Sequence, residues 1–349
     1  MDISVMFFGA DEAGTSHVAK YDDILAIARA ADELGFAAVW TPERHFQTVG
    51  QVFPSPPVLG AALAVATERI AVRAGSVVLP LHHPLRVVED WAVVDNLSRG
   101  RIGVSVATGW HSADFVLAPD HYADRRKRAL DDIPLLRRLW AGEAVEFPDG
   151  TGRTVAVQPQ PRPVSPRFPL WMTTSGNPET WMAAGRLRTN VLGATIGQSR
   201  EELAEKIDSY RESYRAAPEQ LGTTARGIVT LMAHTYVGTD DAEALRRVSA
   251  PLRAYLRSYV AQTAANRDGD GRAAALTDQQ TDTLVDFALR RYLTWGSLLG
   301  SPETCRKSLL DLRDLGCDEV ACFVDFGLDR ADVLASLHRL AELRKDITE

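Results

Sequence analysis

A carboxylate and an imidazole stand two residues apart in Trp40-Thr-Pro-Glu43-Arg-His45-Phe46, a spacing that lets Glu43 orient a proton-exchanging His45. The same segment also reads as a loop ion pair with Arg44, and residue types alone leave the two open. A second cluster, Thr173-Thr174-Ser175-Gly176-Asn177-Pro178, offers hydroxyls, a glycine, an N-capping Asn and a Pro suited to a first helical position. A helix N-terminus reached this way presents free N–H groups and partial positive charge to an anion such as phosphate. Two further blocks bring small residues together with histidines: Gly75-Ser76-Val77 leading to His83-Pro84, and Ala107-Thr108-Gly109-Trp110-His111. Gly103-Val-Ser105-Val-Ala107 lacks the second glycine of a nucleophile elbow, which makes Ser105 a strand residue of a barrel interior.

These blocks need elements to hold them. Met1 to Phe8 is a short apolar strand, and Tyr21 to Leu34 repeats apolar residues at helical spacing before stopping at Gly35. Strand Ala37–Trp40, helix Pro57–Thr67, strand Ile70–Val78, helix Leu85–Leu97 and strand Arg101–Val106 follow, so four βα units precede residue 141. Residues 143–168 hold a hairpin, Val145–Phe147 with Thr154–Gln158, and a proline-rich connection. Next come strand Pro169–Thr173, helix Pro178–Arg186, strand Asn190–Leu192, helix Arg200–Arg215, strand Gly227–Tyr236 and helix Ala242–Gln262. Thr263 to Asp282 is polar and glycine-containing and reads equally as a mobile loop over the site or as a simple surface insertion. Helix Pro302–Leu315, strand Glu319–Val324 and helix Arg330–Leu343 complete the chain.

Eight strands separated by helices favour a parallel (β/α)₈ TIM barrel, one domain over residues 1–349 with insertions after strands four and seven. The runner-up, a doubly wound sheet, lacks its fingerprint, because neither Gly150-x-Gly152 nor Gly269-x-Gly271 opens a strand-to-helix turn with a third glycine. In a barrel, function comes from the C-terminal ends of strands. The four blocks follow strands two, three, four and five.

The order and spacing of these blocks resemble the bacterial luciferase-like flavin monooxygenases, and within them the branch associated with natural-product gene clusters. The resemblance covers nearly the whole chain. It implies reduced flavin mononucleotide (FMN) as cofactor, O₂ as co-substrate, and a flavin C4a-(hydro)peroxide that oxygenates a small or carrier-bound biosynthetic intermediate. It places His45 beside the flavin ring as the proton-handling residue, with Glu43 orienting it or contacting the flavin edge. Gly75-Ser76 then marks a non-proline cis peptide beneath the ring. The cofactor set implied is Gly75, Ser76, Ala107, Thr108, Gly109, Arg125, Arg126, Thr174, Ser175 and Gly176; Phe8, Trp40, His83, Trp110 and His111 are placed in the substrate pocket, with His83 reading equally as the cap of a loop. The luciferases carry a cysteine and an arginine where this chain has Ala107 and Thr108, so the phosphate needs another cation, and Arg125 or Arg126 is the expected substitute. Without a dinucleotide fingerprint, a separate NAD(P)H:flavin reductase is the implied supplier of reduced flavin, and a homodimer is expected by analogy. Hydroxylation, Baeyer–Villiger insertion and N-oxidation all stay open.

Composition narrows the alternatives. A chain of 349 residues with 45% hydrophobic and 24% charged residues suits a soluble protein with an extensive core. A net charge of −7 disfavours nucleic acid, and the basic run Arg125-Arg126-Lys127-Arg128 reads as a solvated helix start. Met1-Asp2-Ile3-Ser4 lacks a signal-peptide pattern and no apolar run approaches the ~18 residues of a membrane span, so a cytoplasmic address without membrane contact is expected. Cys305, Cys317 and Cys322 are an odd set, read as reduced and packed, and no zinc or other metal motif is present. Three rivals stand beside the monooxygenase: an F420-dependent hydride-transfer dehydrogenase, a non-catalytic flavin-binding protein, and a barrel hydrolase or aldolase. The last needs paired carboxylates or a reactive lysine at strand ends, and none of Lys20, Lys127, Lys206, Lys307 or Lys345 is in the expected site.

Overall fold

The computed structural model describes residues 1–9, 16–46, 50–174, 176–222, 224–268 and 277–348. In chain order the elements are β1 (Asp2–Met6), α1 (His17–Glu33), β2 (Ala38–Thr41), α2 (Pro56–Ala66), β3 (Ala71–Val78), α3 (Pro84–Ser98), β4 (Ile102–Ala107) and α4 (Arg125–Ala141). They continue with β5 (Val145–Pro148), β6 (Thr154–Val157), β7 (Leu170–Thr173), α5 (Pro178–Arg186), β8 (Asn190–Ala194), α6 (Arg200–Ala216) and β9 (Val229–Val237). The last are α7 (Asp241–Asp268), α8 (Asp278–Thr294), β10 (Leu298–Gly300), α9 (Pro302–Asp314), β11 (Glu319–Phe323) and α10 (Arg330–Thr348).

The eight long-range strands run in the order β1-β2-β3-β4-β7-β8-β9-β11, all parallel, and β11 pairs back with β1 to close a (β/α)₈ barrel. The β5–β6 hairpin is antiparallel and separate from the barrel. Between barrel and helices lies the main apolar core, where α3 contributes Val87, Val88, Trp91 and Val94. No helix among the described residues is long and apolar enough to cross a membrane.

Two elements were not foreseen. β10 adds a short parallel edge to β9, and α8 occupies residues read as loop and beyond. Of the expected mobile segment Thr263–Asp282, residues 263–268 extend α7 and 278–282 begin α8, while residues 269–276 lie outside the described set. A Thr277–Gln280 capping box starts α8, satisfying two end groups of that helix.

Strand alternation sends a second set of side chains into the barrel. At the N-terminal end Arg73 Nη1 donates to Glu319 Oε1 at 3.0 Å and Oε2 at 2.7 Å, its guanidinium held between the Trp40 and Trp171 rings at 5.0 and 4.7 Å. Trp40 Nε1 donates to Ser4 Oγ at 3.0 Å and Glu319 Oε1 at 3.2 Å, and Trp171 Nε1 to Thr230 Oγ1 at 3.2 Å. Trp40 is thus a fully buried part of the barrel floor, not of a substrate pocket. Its place on β2 turns its ring inward, where Glu319 captures the indole N–H.

Candidate active site

Glu43 is where the strand-end blocks meet. Its Oε2 accepts from the Val78 amide at 2.6 Å, and its Oε1 lies 2.9 Å from His45 Nε2 and 2.6 Å from His82 Nε2. The carboxylate is buried, and burial alone would push its pKa up. The two imidazoles and the Val78 amide outweigh burial and hold it below the usual carboxylate range. His82 is likewise pulled down by burial but lifted above its ordinary value by Glu43 and by nearby Asp90.

His82 had no assigned role in the sequence reading, whereas its neighbour His83 did. The 3₁₀ turn Leu79–Leu81 sends His82 inward and leaves His83 exposed as the N-cap of α3, its Nδ1 accepting from the Leu85 amide at 3.3 Å. His83 packs against Phe147 of the hairpin, ring centroids 5.3 Å apart, so the substrate-pocket assignment for His83 does not stand.

The Gly75–Ser76 peptide is cis. A Cβ at Gly75 would lie 2.9 Å from Met6 Cε and 3.1 Å from the Trp40 ring, so the barrel interior leaves space for glycine alone. Ser76 Oγ and Ser105 Oγ both hydrogen-bond Thr173 Oγ1, the latter at 2.6 Å, which ties β3, β4 and β7 together just below the loop that begins at Thr174. Ser105 is buried in the barrel interior.

Thr174 is buried and its Oγ1 has no hydrogen-bond partner. Asn177 caps α5, its side chain accepting from the Glu179 amide at 2.9 Å, with Pro178 at the first helical position. Nothing lies within 4 Å of a Cβ built on Gly176, and Ser175 is outside the described residues. Arg126 reaches this helix from α4, its Nη2 donating to Thr180 Oγ1 at 3.0 Å. An orphaned hydroxyl, open space, a helix N-terminus and a guanidinium at one place fit a phosphate group.

Arg125 is engaged elsewhere. Its Nε donates to the Gly109 carbonyl at 3.2 Å and its Nη1 to the Tyr122 carbonyl at 2.8 Å, so it braces the loop after β4. Ala107 and Thr108 lead into that loop, and Gly109 turns it at φ +75°, where a Cβ would meet the Phe115 ring at 2.8 Å. Trp110 is 45% exposed and lies against buried His111, centroids 3.7 Å apart. Asp114, also missed, is buried with Oδ1 unpartnered, and burial pushes its pKa up to about 6 against the pull of His45 and Arg44.

The remaining wall of the mouth is aromatic. Phe8 meets Phe323 and Tyr255 edge-on at 5.0 and 5.7 Å, with Arg44 over its ring at 3.8 Å. His234, inward from β9 and overlooked in the sequence, is ringed by Tyr255, Tyr292, Phe323 and Phe326 at 4.7 to 5.3 Å. Complete burial lowers its pKa to about 3, so it is neutral. Beside it an apolar cavity of about 210 Å³ runs between Ile196, Leu256, Phe287, Tyr292 and Trp295. Asp325, at the end of β11, accepts from the Phe8 and Gly9 amides at 2.7 and 2.8 Å and fixes the first loop to the last.

A family model for luciferase-like monooxygenases matches residues 1–319. The sequence is 26% identical over 329 residues to the oxygenase component of the flavin-dependent trigonelline monooxygenase of Acinetobacter baylyi, covering 92% of this chain and 88% of that one. Monooxygenase RslO1 from Streptomyces bottropensis superposes over 100% of both chains with a TM-score of 0.78 at 24% identity. An F420-dependent secondary alcohol dehydrogenase superposes over 98% of both with a TM-score of 0.71 at 14% identity, so the fold is common to proteins named for different chemistries.

Proposed function

The chain belongs to the luciferase-like monooxygenase family, and from that premise we propose that it is the oxygenase component of a two-component flavin monooxygenase, taking reduced FMN from a separate reductase. The observation that carries this reading is the presence, at the C-terminal ends of the barrel strands, of a carboxylate-held imidazole and a phosphate-compatible helix start, with the Ser76–Thr173–Ser105 hydroxyls tying β3, β4 and β7 below that helix start. When bound, reduced FMN supplies the electrons that activate O₂, and one oxygen atom enters the substrate.

The chain's own residues do the rest. Thr174, the α5 N-terminus and Arg126 hold the phosphate, replacing the cation that Thr108 does not supply. Gly75 and Ser76 form the floor below the ring. Glu43 fixes the His45 ring so that it exchanges a proton with the reacting groups. The aromatic wall of Phe8, His234, Tyr255, Tyr292 and Phe323 excludes water and suits a substrate with an apolar or aromatic body, free or on a carrier. A second copy of the chain docks on α2 and α3, whose Val58, Val65, Val93 and Leu97 are exposed. The reaction runs in the cytoplasm, in keeping with Cys305, Cys317 and Cys322, all free and buried.

Stopped-flow mixing of the protein and photoreduced FMN with oxygenated buffer tests this. The expected result is a protein-stabilised transient, distinct in spectrum from reduced and oxidised FMN, that is short-lived in His45→Ala. Direct return to oxidised FMN at the free-flavin rate, or reduction of F420 by an alcohol, overturns it.

A further inference from the structure

His82 reaches Glu43 from the 3₁₀ turn after β3, and His45 reaches it from the loop after β2. Both imidazoles address the same oxygen, Glu43 Oε1, at 2.6 and 2.9 Å. Exposure along this line runs 33% for the His82 side chain, 0% for Glu43 and 10% for His45, so the buried carboxylate separates a solvent-facing imidazole from a nearly buried one. His82 lines an outer cavity of about 510 Å³ whose walls include Leu117, His121, Arg128, Asp132 and Phe147. This cavity lies on the α3 side of α4, whereas Arg126 contacts α5 from the other side. A smaller cavity of about 50 Å³ touches Glu43, His82 and Asp90 together and is large enough for water.

We propose that His82, Glu43 and His45 form a proton relay linking the reaction space to bulk water through the outer cavity, so that protons move while the aromatic mouth stays closed. The proposal rests on the functional reading above for its purpose, but not for its geometry. In an inward pass the Nε2–H bond of a His82 imidazolium breaks as an O–H bond forms on Glu43. That O–H bond breaks as Nε2–H forms on His45, which has first exchanged its resting Nε2–H, the donor to Glu43, for the Nδ1–H tautomer through water, and which then releases the Nδ1 proton to the reacting group. An outward pass runs in reverse and restores both tautomers and the carboxylate. The raised pKa of His82 and the lowered one of Glu43 favour the proton on the imidazole over the carboxylate between passes. The other ionisable groups around His82 are Asp90, paired with Arg86 on α3, and His83, His121, Arg128 and Asp132 on the cavity wall. None of these lies between His82 and Glu43.

His82→Gln keeps an amide donor for Glu43 but carries no proton. It is expected to bind FMN as the wild type does, yet to slow O₂-dependent oxidation of reduced FMN about tenfold or more and to lose the solvent deuterium effect. His82→Ala opens the position to the outer cavity, and added 4-methylimidazole is expected to restore the rate in a saturable way. Wild-type rates and pH profile in His82→Gln, or no rescue of folded His82→Ala, overturn the relay. Imidazole ¹⁵N titration of the resting protein separates this from the functional reading. Mutually dependent His45 and His82 titrations, uncoupled in Glu43→Gln, support the relay even if the wild type shows no flavin-driven O₂ uptake, which by itself would sink only the monooxygenase. Independent titrations in the wild type overturn the relay whatever the flavin does.

Discussion

The two ends of the barrel bury polar groups in opposite ways. At the floor, Arg73 Nη1 and Glu319 satisfy each other and two indoles close over the pair, with Arg73 Nε buried and without a hydrogen bond. At the mouth, Thr174 Oγ1 and Asp114 Oδ1 are buried without partners, and His234 sits uncharged among rings. Buried polar groups are normally hydrogen-bonded, and leaving one unmet is unfavourable. The floor is built to stay as it is, and the mouth is built to receive something.

The contrast breaks most visibly at Glu319. Glu319→Ala strands the Arg73 charge inside the barrel and is expected to destabilise the fold by about 3–5 kcal/mol, read as a lower denaturant midpoint. At the mouth the order reverses. His45→Ala should lower the rate of substrate oxygenation about 100-fold or more while the unfolding midpoint stays close to wild type; an equal loss of stability would place His45 with the floor. Thr174→Val should weaken FMN about tenfold, the worth of a hydrogen bond to a charged group, and leave riboflavin binding unchanged. Equal loss for both ligands would remove Thr174 from the phosphate.

The smallest effect is a pH dependence. Asp114 carries a pKa of about 6 in the fold against an ordinary 3.8, so between those values the folded state binds more protons than the unfolded chain. Stability from this group is present at low pH and falls as pH rises through that window. Asp114→Asn should therefore raise the melting temperature at pH 8 relative to wild type and leave it nearly unchanged at pH 4. A gain that did not depend on pH would show that the carboxylate is not desolvated.

Apolar runs and glycine stops made the barrel readable, because its strands are largely buried and α1, α3, α4 and α9 run into Gly35, Gly100, Gly142 and Gly316 at positive φ. α8 was unreadable for the converse reason: Val285 and Tyr292 are its buried residues and much of its surface faces solvent, so helical periodicity is faint. β10 is three residues long, below what a pattern can carry. Within the site, the spacing of Glu43 and His45 in the loop after β2 left an ion pair with Arg44 equally open, and the contact between them is visible only in the fold. Trp40 was misplaced because a residue at a strand end can face either the mouth or the floor, and a partner from β11 decides. His82 and His83 differ only in which way a 3₁₀ turn rotates them, and Asp114 and His234 gain their character from neighbours far away in the chain.

Glu319 pins the floor and Asp325 pins the Phe8–Gly9 loop at the mouth, and both belong to the last strand and its exit. During synthesis on a ribosome, every earlier strand can emerge and the barrel still stands open at its seam, with Arg73 uncompensated below and the first loop unanchored above. Competence for chemistry therefore waits for β11 and its exit, and a chain stopped before Glu319 is left without it.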